Sequence, residues 1–317
     1  MKLKNFFTSF VCVSSLILST SCGVQEISNL SNVENNSSDD NKNFSILSEE
    51  DKATECEAKK LNPQADSKDR AVNRMLAKHK LNFKHFDKSL TVAASTSTTV
   101  ISTATVDNRK WSSPVGNQGQ LGSCTAFAAV RGAREYLLNK QAQPFVTLSP
   151  LMFYYEERKQ DGTINYDAGS SITRSAYVLK NVGVSKETTW PYDITKFKIA
   201  PPASAYQEAL QFRVQTIKKL YTLNDIKNEV KNGNPVIFGI KVYESFMRST
   251  SGVIPLPNTS TERLLGGHAV TCLGFDDVNK VLIMKNSWGT NWGMKGYFTL
   301  PYGYFDLKLV MDVWTVT

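Results

Sequence analysis

One cysteine of this sequence occupies a position where a thiol becomes a strong nucleophile. Cys124 follows Gly122 and Ser123 and begins a segment with the apolar spacing of a helix, for which Ser123 is the expected N-cap. Main-chain N–H groups and the helix dipole at such a position stabilise a thiolate. A lone cysteine on a helix is more often a small core residue, so the reactive interpretation depends on the surrounding residues.

Two further residues could provide an oxyanion hole and a base for this thiol. Gln118 lies in a glycine-containing loop six residues upstream, where its amide and the Cys124 N–H could converge on one point. Of the three histidines, His79 and His85 lie in a lysine-rich leader. His268, at the predicted start of an apolar strand and therefore at a rim, is the remaining candidate for the base.

A polar residue and a tryptophan follow the next predicted strand. Asn286 could hold one ring nitrogen of His268 through its side-chain oxygen, and Trp288 would cover that bond and exclude water from it. Packing is an equally good reason for the tryptophan. The four polar residues together predict nucleophilic thiol catalysis.

The composition limits the other classes of function. The chain has 317 residues, 41% of them hydrophobic, and a formal net charge of +8. It is long enough for a substantial core, and its basic charge comes without a nucleic-acid-reading motif, so we expect no nucleic-acid partner. The five cysteines form neither a CxxC pair nor a zinc cluster, so we expect no metal and no other cofactor.

The first 22 residues have the pattern of an export signal. A basic start is followed by a short apolar run over residues 6–18, which ends in small residues before Cys22. This resembles a bacterial lipoprotein cleavage site, in which Cys22 is acylated and tethers the protein to the membrane. The alternative is an ordinary signal cleaved near Ser21, which gives a secreted or periplasmic protein.

Residues 23–104 differ in composition from the remainder of the chain. Residues 23–43 are polar and are expected to form a disordered tether. Residues 69–88 combine apolar positions such as Val72, Met75 and Phe83 with many basic residues, so a short helix is expected there. We interpret this segment as an inhibitory prosegment, although a plain linker fits the pattern as well. The globular domain is expected over residues 105–317.

Within that domain, the helical patterns precede most of the strand patterns. We expect helices after Ser123 and Ser149, over 172–181 and over 223–231, and strands over 235–242, 268–275, 281–285, 296–300 and 308–316. A helical half followed by a β half predicts an α+β fold with two lobes and a cleft between them.

The motifs NQG before GSCTAF, then HAV, then KNSWGT and GY, resemble papain and the cathepsins in order and spacing. The resemblance covers nearly all of residues 105–317. It implies the papain-like two-lobe fold, with Cys124 as nucleophile, His268 as base, Asn286 as its orienting residue and Gln118 as an oxyanion donor. It also implies a cysteine endopeptidase acting on polypeptides.

Substrate-binding positions and two departures follow from the same resemblance. Gly169 and Ser170 are expected to pair with the substrate backbone, and Gly239 and Ala269 to line a side-chain pocket, beside Trp288. The family usually has cysteine at the position of Leu121 and an aromatic residue at that of Thr125. The second departure affects the packing behind Cys124 more than the chemistry.

Two other functions remain open on the sequence alone, and the oligomeric state is expected to be a monomer. The acyl-enzyme could be intercepted by an amine, which would make the protein a transpeptidase, or the protein could be a surface-tethered binding protein that retains the fold. Within 105–317 only Cys124 and Cys272 remain, and we expect them to be too far apart for a disulfide bond.

Overall fold

The computed structural model describes residues 67–83 and 104–317. The helices there are α1 (Ser67–Lys78), α2 (Cys124–Phe127), α3 (Glu135–Lys140), α4 (Pro150–Gln160), α5 (Ile172–Asn181), α6 (Ala203–Ala209), α7 (Leu223–Lys231), α8 (Glu244–Arg248) and α9 (Gly303–Asp306). A π-helix (Ala128–Arg134) joins α2 to α3, and short 3₁₀ turns lie at Arg109–Trp111, Ile194–Lys196 and Leu210–Phe212. No helix among the described residues is long and apolar enough to cross a membrane.

The strands form one antiparallel sheet. They are β1 (Thr105–Asp107), β2 (Ile217–Leu220), β3 (Val236–Tyr243), β4 (Leu264–Asp276), β5 (Val281–Lys285), β6 (Tyr297–Pro301) and β7 (Val310–Val316). Their order is β2-β7-β3-β4-β5-β6, and β1 pairs with β4. Helices and an antiparallel sheet that follow one another in this way make an α+β fold, as predicted.

Local sequence signals explain where two of the helices begin. The Ser149 hydroxyl accepts the Met152 N–H, and Pro150 occupies the first turn of α4, where a missing N–H costs nothing. The Ser171 hydroxyl caps α5 in the same way, by accepting from the Arg174 N–H. The predicted bounds of α5 are therefore confirmed.

The helix that carries Cys124 packs directly on strand β4. The Thr271 hydroxyl donates to the Ala128 carbonyl oxygen at 3.0 Å, within the π-helical stretch. Gly132 lacks a side chain at the same contact, and a Cβ there would collide with Thr271. This close approach fixes β4, which carries His268, against the helix that begins at Cys124.

Two large hydrophobic cores and one small cluster lie among the described residues. One lies between α2–α5 and one side of the sheet and includes Tyr136, Phe153 and Trp314; the other lies on the β side and includes Phe238, Phe246 and Phe298. The division corresponds to the predicted helical and β lobes. Helix α1 packs on the β side, where Val72 is fully buried.

Two local predictions need correction. Ser123 is the N-cap residue of α2, as predicted, but its side chain makes no capping bond; its hydroxyl lies 2.6 Å from the Tyr192 hydroxyl instead. His268 does not begin a strand at a rim, because β4 starts at Leu264 and leaves His268 inside the strand and fully buried. The sequence pattern did not predict the first residues of this strand because glycine, which stands at 266 and 267, is a weak strand former.

Candidate active site

The Cys124 thiol is buried at the first position of α2. Its sulfur accepts main-chain N–H bonds from Ala269, Asn82 and Thr125, each of which favours the thiolate. Burial outweighs these bonds and, with a smaller contribution from nearby Glu157, raises the pKa of Cys124 to about 12. The thiol is therefore neutral in this state of the protein.

The side chain of His268 is held by Asn286. The Nε2 atom lies 2.8 Å from Asn286 Oδ1, which also accepts the Ser287 N–H at 2.8 Å. Because Oδ1 is thus an acceptor, Nε2 must carry the proton and Nδ1 is left as the basic nitrogen. Among the described residues Nδ1 has no hydrogen-bond partner.

Trp288 covers the same histidine. Its ring centroid lies 4.8 Å from that of His268, and the indole is buried, which supports the predicted covering role. Burial lowers the pKa of His268 to about 4, against the opposing effect of the Asn286 bond. The imidazole is therefore neutral in this state, as is the Cys124 thiol.

Gln118 is fully buried and fixed at both ends of its amide. The Oε1 atom accepts the Ser287 hydroxyl at 2.6 Å, and Nε2 donates to the carbonyl oxygens of Leu121 and Lys80, at 3.1 Å each. The bond to Lys80 shows that Nε2 can hold a main-chain carbonyl oxygen that comes from another part of the chain.

The cleft is occupied by residues 79–83 of the protein itself, which we name the cleft segment. Phe83 pairs in parallel with Ser170, and its N–H donates to the Gly267 carbonyl oxygen at 3.3 Å. The Asn82 carbonyl lies so close to Gly169 that a Cβ there would collide with it, and Gly169 has a φ of +67°. Polypeptide backbone thus lies where Gly169 and Ser170 were predicted to bind it.

The Phe83 side chain lies at the position predicted for a pocket. A Cβ at Gly239 would lie 2.6 Å from the Phe83 ring, so the small residue leaves room for the aromatic side chain. Gly239 pairs with Ala269 across β3 and β4, which places both predicted lining residues beside each other.

His79 belongs to this site, although the sequence analysis placed it in a lysine-rich leader away from the catalytic residues. Its ring lies parallel to Trp288, with centroids 4.9 Å apart and an interplanar angle of 11°. Although lysines surround it in the sequence, His79 is only 6% exposed. A histidine that follows the apolar positions Val72, Met75 and Leu76 at helical spacing was the available signal.

The two departures from the family pattern have structural replacements. The Thr125 hydroxyl donates to buried Glu157 at 2.9 Å, so a polar contact replaces aromatic packing behind Cys124. Next to Leu121, the Gly122 N–H donates to Asp167 Oδ1 at 3.1 Å, which links the loop before Cys124 to the loop before Gly169.

Two other thiols were singled out in the sequence. Cys272 is buried, and both it and Cys124 are free, as expected for the described part of the chain. The predicted lipidation site, Cys22, lies outside the described residues.

Comparison with known proteins gives a consistent family match. Residues 102–311 match the family model described as Papain family cysteine protease. An uncharacterized peptidase C1-like protein of Acanthamoeba polyphaga mimivirus is 36% identical over 213 residues, which cover 63% of this chain and 68% of that protein. Pro-cathepsin H of Mus musculus is 31% identical over 204 residues, which cover 60% of this chain and 57% of that protein. The chain therefore spans little more than half the length of this second relative.

Two solved structures are similar in fold. Xylellain, a cysteine protease from Xylella fastidiosa, superposes with a TM-score of 0.63 at 30% identity, over 76% of this chain and 97% of that chain. The ragweed pollen allergen Amb a 11, a cysteine protease in its proform, gives a TM-score of 0.60 at 19% identity, over 84% of this chain and 86% of that chain.

Proposed function

Since the chain belongs to the papain family of cysteine proteases, we propose that it hydrolyses internal peptide bonds with Cys124 as the nucleophile. Its papain-like α+β fold agrees with the resemblance seen in the sequence. The observation that carries the proposal is the cleft segment, because a stretch of polypeptide lies across the thiol with one carbonyl oxygen on Gln118 Nε2. A site that holds polypeptide in this way suits a peptide substrate.

The reaction follows from the geometry of the histidine. His268 Nδ1 removes the proton from Cys124, and the thiolate attacks a substrate carbonyl carbon whose oxygen moves toward Gln118 Nε2 and the Cys124 N–H. The imidazolium then protonates the leaving amine as the carbon–nitrogen bond breaks. A water molecule, deprotonated by His268, hydrolyses the thioester and restores the free thiol.

Asn286 keeps the imidazole in the orientation and tautomer that this sequence of steps needs. Its Oδ1 atom holds Nε2–H, so the basic Nδ1 remains directed away from Asn286 and available to the thiol. Trp288 limits the access of water to that bond.

We propose further that the cleft segment keeps the enzyme inactive until it leaves. The Cys124 sulfur accepts the Asn82 N–H, whereas the carbonyl oxygen on Gln118 belongs to Lys80. The sulfur thus contacts peptide unit 81–82, whereas the oxyanion donor holds the preceding unit, 80–81, so the two groups do not engage one and the same peptide unit. Burial under the segment also disfavours the charged thiolate–imidazolium pair, because it raises the pKa of Cys124 and lowers that of His268.

A covalent label tests the peptidase and the occlusion in the full-length chain. We expect a thiol-directed peptidyl label to modify Cys124 stoichiometrically in Phe83→Asp, whose charge does not suit the apolar pocket beside Gly239, and much more slowly in the wild type. Phe145→Asp is the matched control, because Phe145 is 53% exposed. Equal labelling rates in the three proteins would leave residues 67–83 as a plain linker.

Product analysis separates peptide hydrolysis from the alternatives. Turnover of peptides by Phe83→Asp should disappear in Cys124→Ser and in His268→Ala. A transpeptidase would instead yield amide products when an amine is added, and a binding protein that retains the fold would take up no stoichiometric label. Either result would replace the hydrolase in this proposal.

For location, we propose that the protein is exported and tethered through a lipid on Cys22. The support is the sequence pattern of residues 1–22 alone. Cys22→Ser should move the protein from the membrane fraction to the soluble fraction. A wild-type protein that is already soluble, with an unmodified N-terminus, would mean ordinary secretion.

A further inference from the structure

Tyr192 contacts both ends of the loop that leads to the nucleophile. Its hydroxyl donates to the Gln118 main-chain carbonyl oxygen at 2.9 Å and lies 2.6 Å from the Ser123 hydroxyl. Gln118 carries one of the two oxyanion donors on its side chain, and Ser123 directly precedes Cys124, whose N–H is the other donor. One phenol hydroxyl therefore joins the two residues on which the positions of both donors depend.

The direction of these hydrogen bonds follows from the single proton of a phenol. Burial raises the pKa of Tyr192, so its hydroxyl keeps that proton and donates it to the Gln118 carbonyl oxygen. The Ser123 hydroxyl must then donate to the Tyr192 oxygen. This chain of two bonds accounts for the Ser123 side chain, which makes no capping bond at the start of α2.

The loop itself provides little to hold the Gln118 carbonyl. The Leu121 N–H approaches that oxygen only to 3.4 Å, which is longer than an ordinary hydrogen bond. Gly119 has a φ of +56°, and a Cβ there would meet no atom within 4 Å, so no side chain or close neighbour restricts the main chain at this point. The bond from Tyr192 is therefore the principal restraint on this carbonyl.

Tyr192 is itself held by contacts outside the loop. Its ring packs edge-on against Phe127, with centroids 4.9 Å apart, at the end of the helix that begins at Cys124. Its N–H donates to Glu187 at 2.7 Å, and Glu187 forms an ion pair with Arg131 of the π-helix at 3.2 Å. The hydroxyl is thus presented from a fixed support, which a residue needs if it is to position another.

The restraint matters most when the cleft is open. In the occluded cleft, Gln118 Nε2 donates to the Lys80 carbonyl oxygen, and this bond is lost when the cleft segment leaves. Nε2 must then meet the oxygen of a tetrahedral intermediate, and an oxyanion donor is effective at about 2.7–3.1 Å from that oxygen. A small displacement of Gln118 therefore weakens the transition state more than it weakens substrate binding.

We infer that Tyr192 is a positioning residue of the oxyanion hole. Its hydroxyl holds the side-chain donor in place through the Gln118 carbonyl, and it holds the main-chain donor in place through Ser123. The inference rests on the proposed peptidase function. It assigns the Tyr192 hydroxyl to the rate of the chemical step and not to the binding of substrate.

The test removes this hydroxyl and keeps the ring. Tyr192→Phe, in full-length Phe83→Asp, preserves the contact with Phe127 but leaves the Gln118 carbonyl without its principal bond. Saturating peptide displaces any cleft segment that remains docked. Under these conditions we expect kcat to fall about tenfold, the scale of one hydrogen bond, and KM to change by less than about twofold.

Tyr302→Phe is the matched control, because it also removes a hydroxyl bond, the one donated to Asp277 at 2.8 Å. Tyr302 follows β6 beside the beginning of β5, whereas Asn286 follows the other end of β5. The control should keep the kcat of its parent. If Tyr192→Phe does not fold, Ser123→Ala, which removes one of the two bonds at the same hydroxyl, should lower kcat by about threefold. An unchanged kcat in Ser123→Ala would then overturn the inference.

Two further measurements distinguish a positioning residue from a general support. Alkylation of Cys124 by iodoacetamide needs the thiolate but no oxyanion donor, so its rate should be the same in Tyr192→Phe and in its parent. When Gln118→Ala is added to both proteins, the effect of Tyr192→Phe on kcat should shrink to about threefold or less, because the side-chain donor is gone. A full effect in both backgrounds, or an equal loss of alkylation rate and kcat, would contradict the positioning role.

A peptide aldehyde separates failure of this inference from failure of the peptidase. The Cys124 sulfur adds to the aldehyde carbon and the thiol proton passes to the former carbonyl oxygen, which comes to lie at the oxyanion donors, so calorimetry measures binding without turnover. Binding that is about tenfold weaker in Tyr192→Phe, with no hydrolysis of any peptide, would support the positioning role and contradict the peptidase. Hydrolysis with the same kcat and the same aldehyde affinity in Tyr192→Phe and its parent would leave the peptidase standing and remove the role of Tyr192.

Discussion

The imidazole of His79 stacks on the indole of Trp288, which in turn covers His268. The ring centroids of the first pair lie 4.9 Å apart, and those of the second lie 4.8 Å apart. One tryptophan thus contacts a histidine of the cleft segment and a histidine of the active site on the same protein. Protonation of the first histidine should therefore affect whether the second is accessible.

We predict that docking of the cleft segment weakens in acid because of His79. Burial, with smaller contributions from the charges of His268 and Lys78, lowers the pKa of His79 from 6.5 to about 3. The docked ring is neutral, so docking is independent of pH above about 6.5. Between pH 6.5 and 3 the undocked state gains the proton, and the docking equilibrium should fall by up to about tenfold per pH unit.

The docking can be measured by hydrogen exchange of the main-chain amides of residues 79–83 in full-length Cys124→Ser. The observed exchange rates are divided by the intrinsic rates at each pH, so that the remaining protection reports the docked fraction. His79→Phe is the control, because phenylalanine stacks on Trp288 but takes up no proton. His268 also titrates when the cleft opens, so only the difference between the two proteins is due to His79. The same loss of protection with falling pH in both would contradict the role of His79.

We predict that Gln118→Ala lowers peptide turnover by roughly 10²–10³-fold, because it removes one of two oxyanion donors. Ser287→Ala is the control: it removes the bond to Gln118 Oε1 but leaves the donor Nε2 in place. We expect a much smaller loss for Ser287→Ala, measured as kcat on one peptide in the Phe83→Asp background. Comparable losses in the two variants would mean that Gln118 acts as a structural support and not as an oxyanion donor.

The sequence predicted which residues lie at the candidate site better than it predicted their surroundings. Cys124, Gln118, His268 and Asn286 stand in short motifs, and short motifs are read directly from the residues. The bounds of α5 and α7 were predicted as the structure has them, and the side chains of Ser171 and Thr222 cap these two helices. These features depend on residues that are close together in the chain, and a single sequence shows such relationships directly.

The features that escaped prediction depend on contacts between distant residues. His79 and Lys80 look like parts of a solvated leader, and only the folded chain places them on Trp288 and Asp167. Within the π-helix at Ala128–Arg134, the Ala128 carbonyl oxygen accepts from the Thr271 hydroxyl, on a strand more than a hundred residues away. The helical spacing up to His79 indicates a buried face but not its partner, and no spacing within 128–134 indicates the contact with Thr271.

We predict that the fold does not depend on a disulfide bond between Cys124 and Cys272. Both thiols are free and buried, and Cys272 donates weakly to the Gly274 carbonyl oxygen at 3.3 Å. The melting temperature of the full-length wild type should therefore change no more on reduction than that of full-length Cys272→Ala. A decrease on reduction that occurs in the wild type and not in Cys272→Ala would reveal a bridge that involves Cys272 and would contradict its place as a buried thiol in β4.

We predict that the buried carboxyl behind the nucleophile makes the protein less stable as the pH rises. Burial raises the pKa of Glu157 from 4.5 to about 8, although bonds from Ser175 and Thr125 act in the opposite direction. The unfolded chain releases this proton near pH 4.5 and the folded protein near pH 8. The contribution of Glu157 to stability is therefore full below pH 4.5 and is lost as the pH rises to 8, by up to about 1.4 kcal/mol per pH unit.

Urea unfolding of full-length Cys124→Ser at pH 5 and pH 8 measures this loss, and Glu157→Gln in the same background isolates it, because an amide does not titrate. Between pH 5 and pH 8, the free energy of unfolding should decrease by about a few kcal/mol less in the Glu157→Gln variant than in its Cys124→Ser parent. Thr125→Val, which removes the 2.9 Å bond to the carboxyl, should lower stability by about 1–3 kcal/mol at either pH, as the acceptor is left buried without that donor. An unchanged pH dependence in Glu157→Gln would mean that Glu157 is already ionised in the folded protein, with its charge balanced by Arg158.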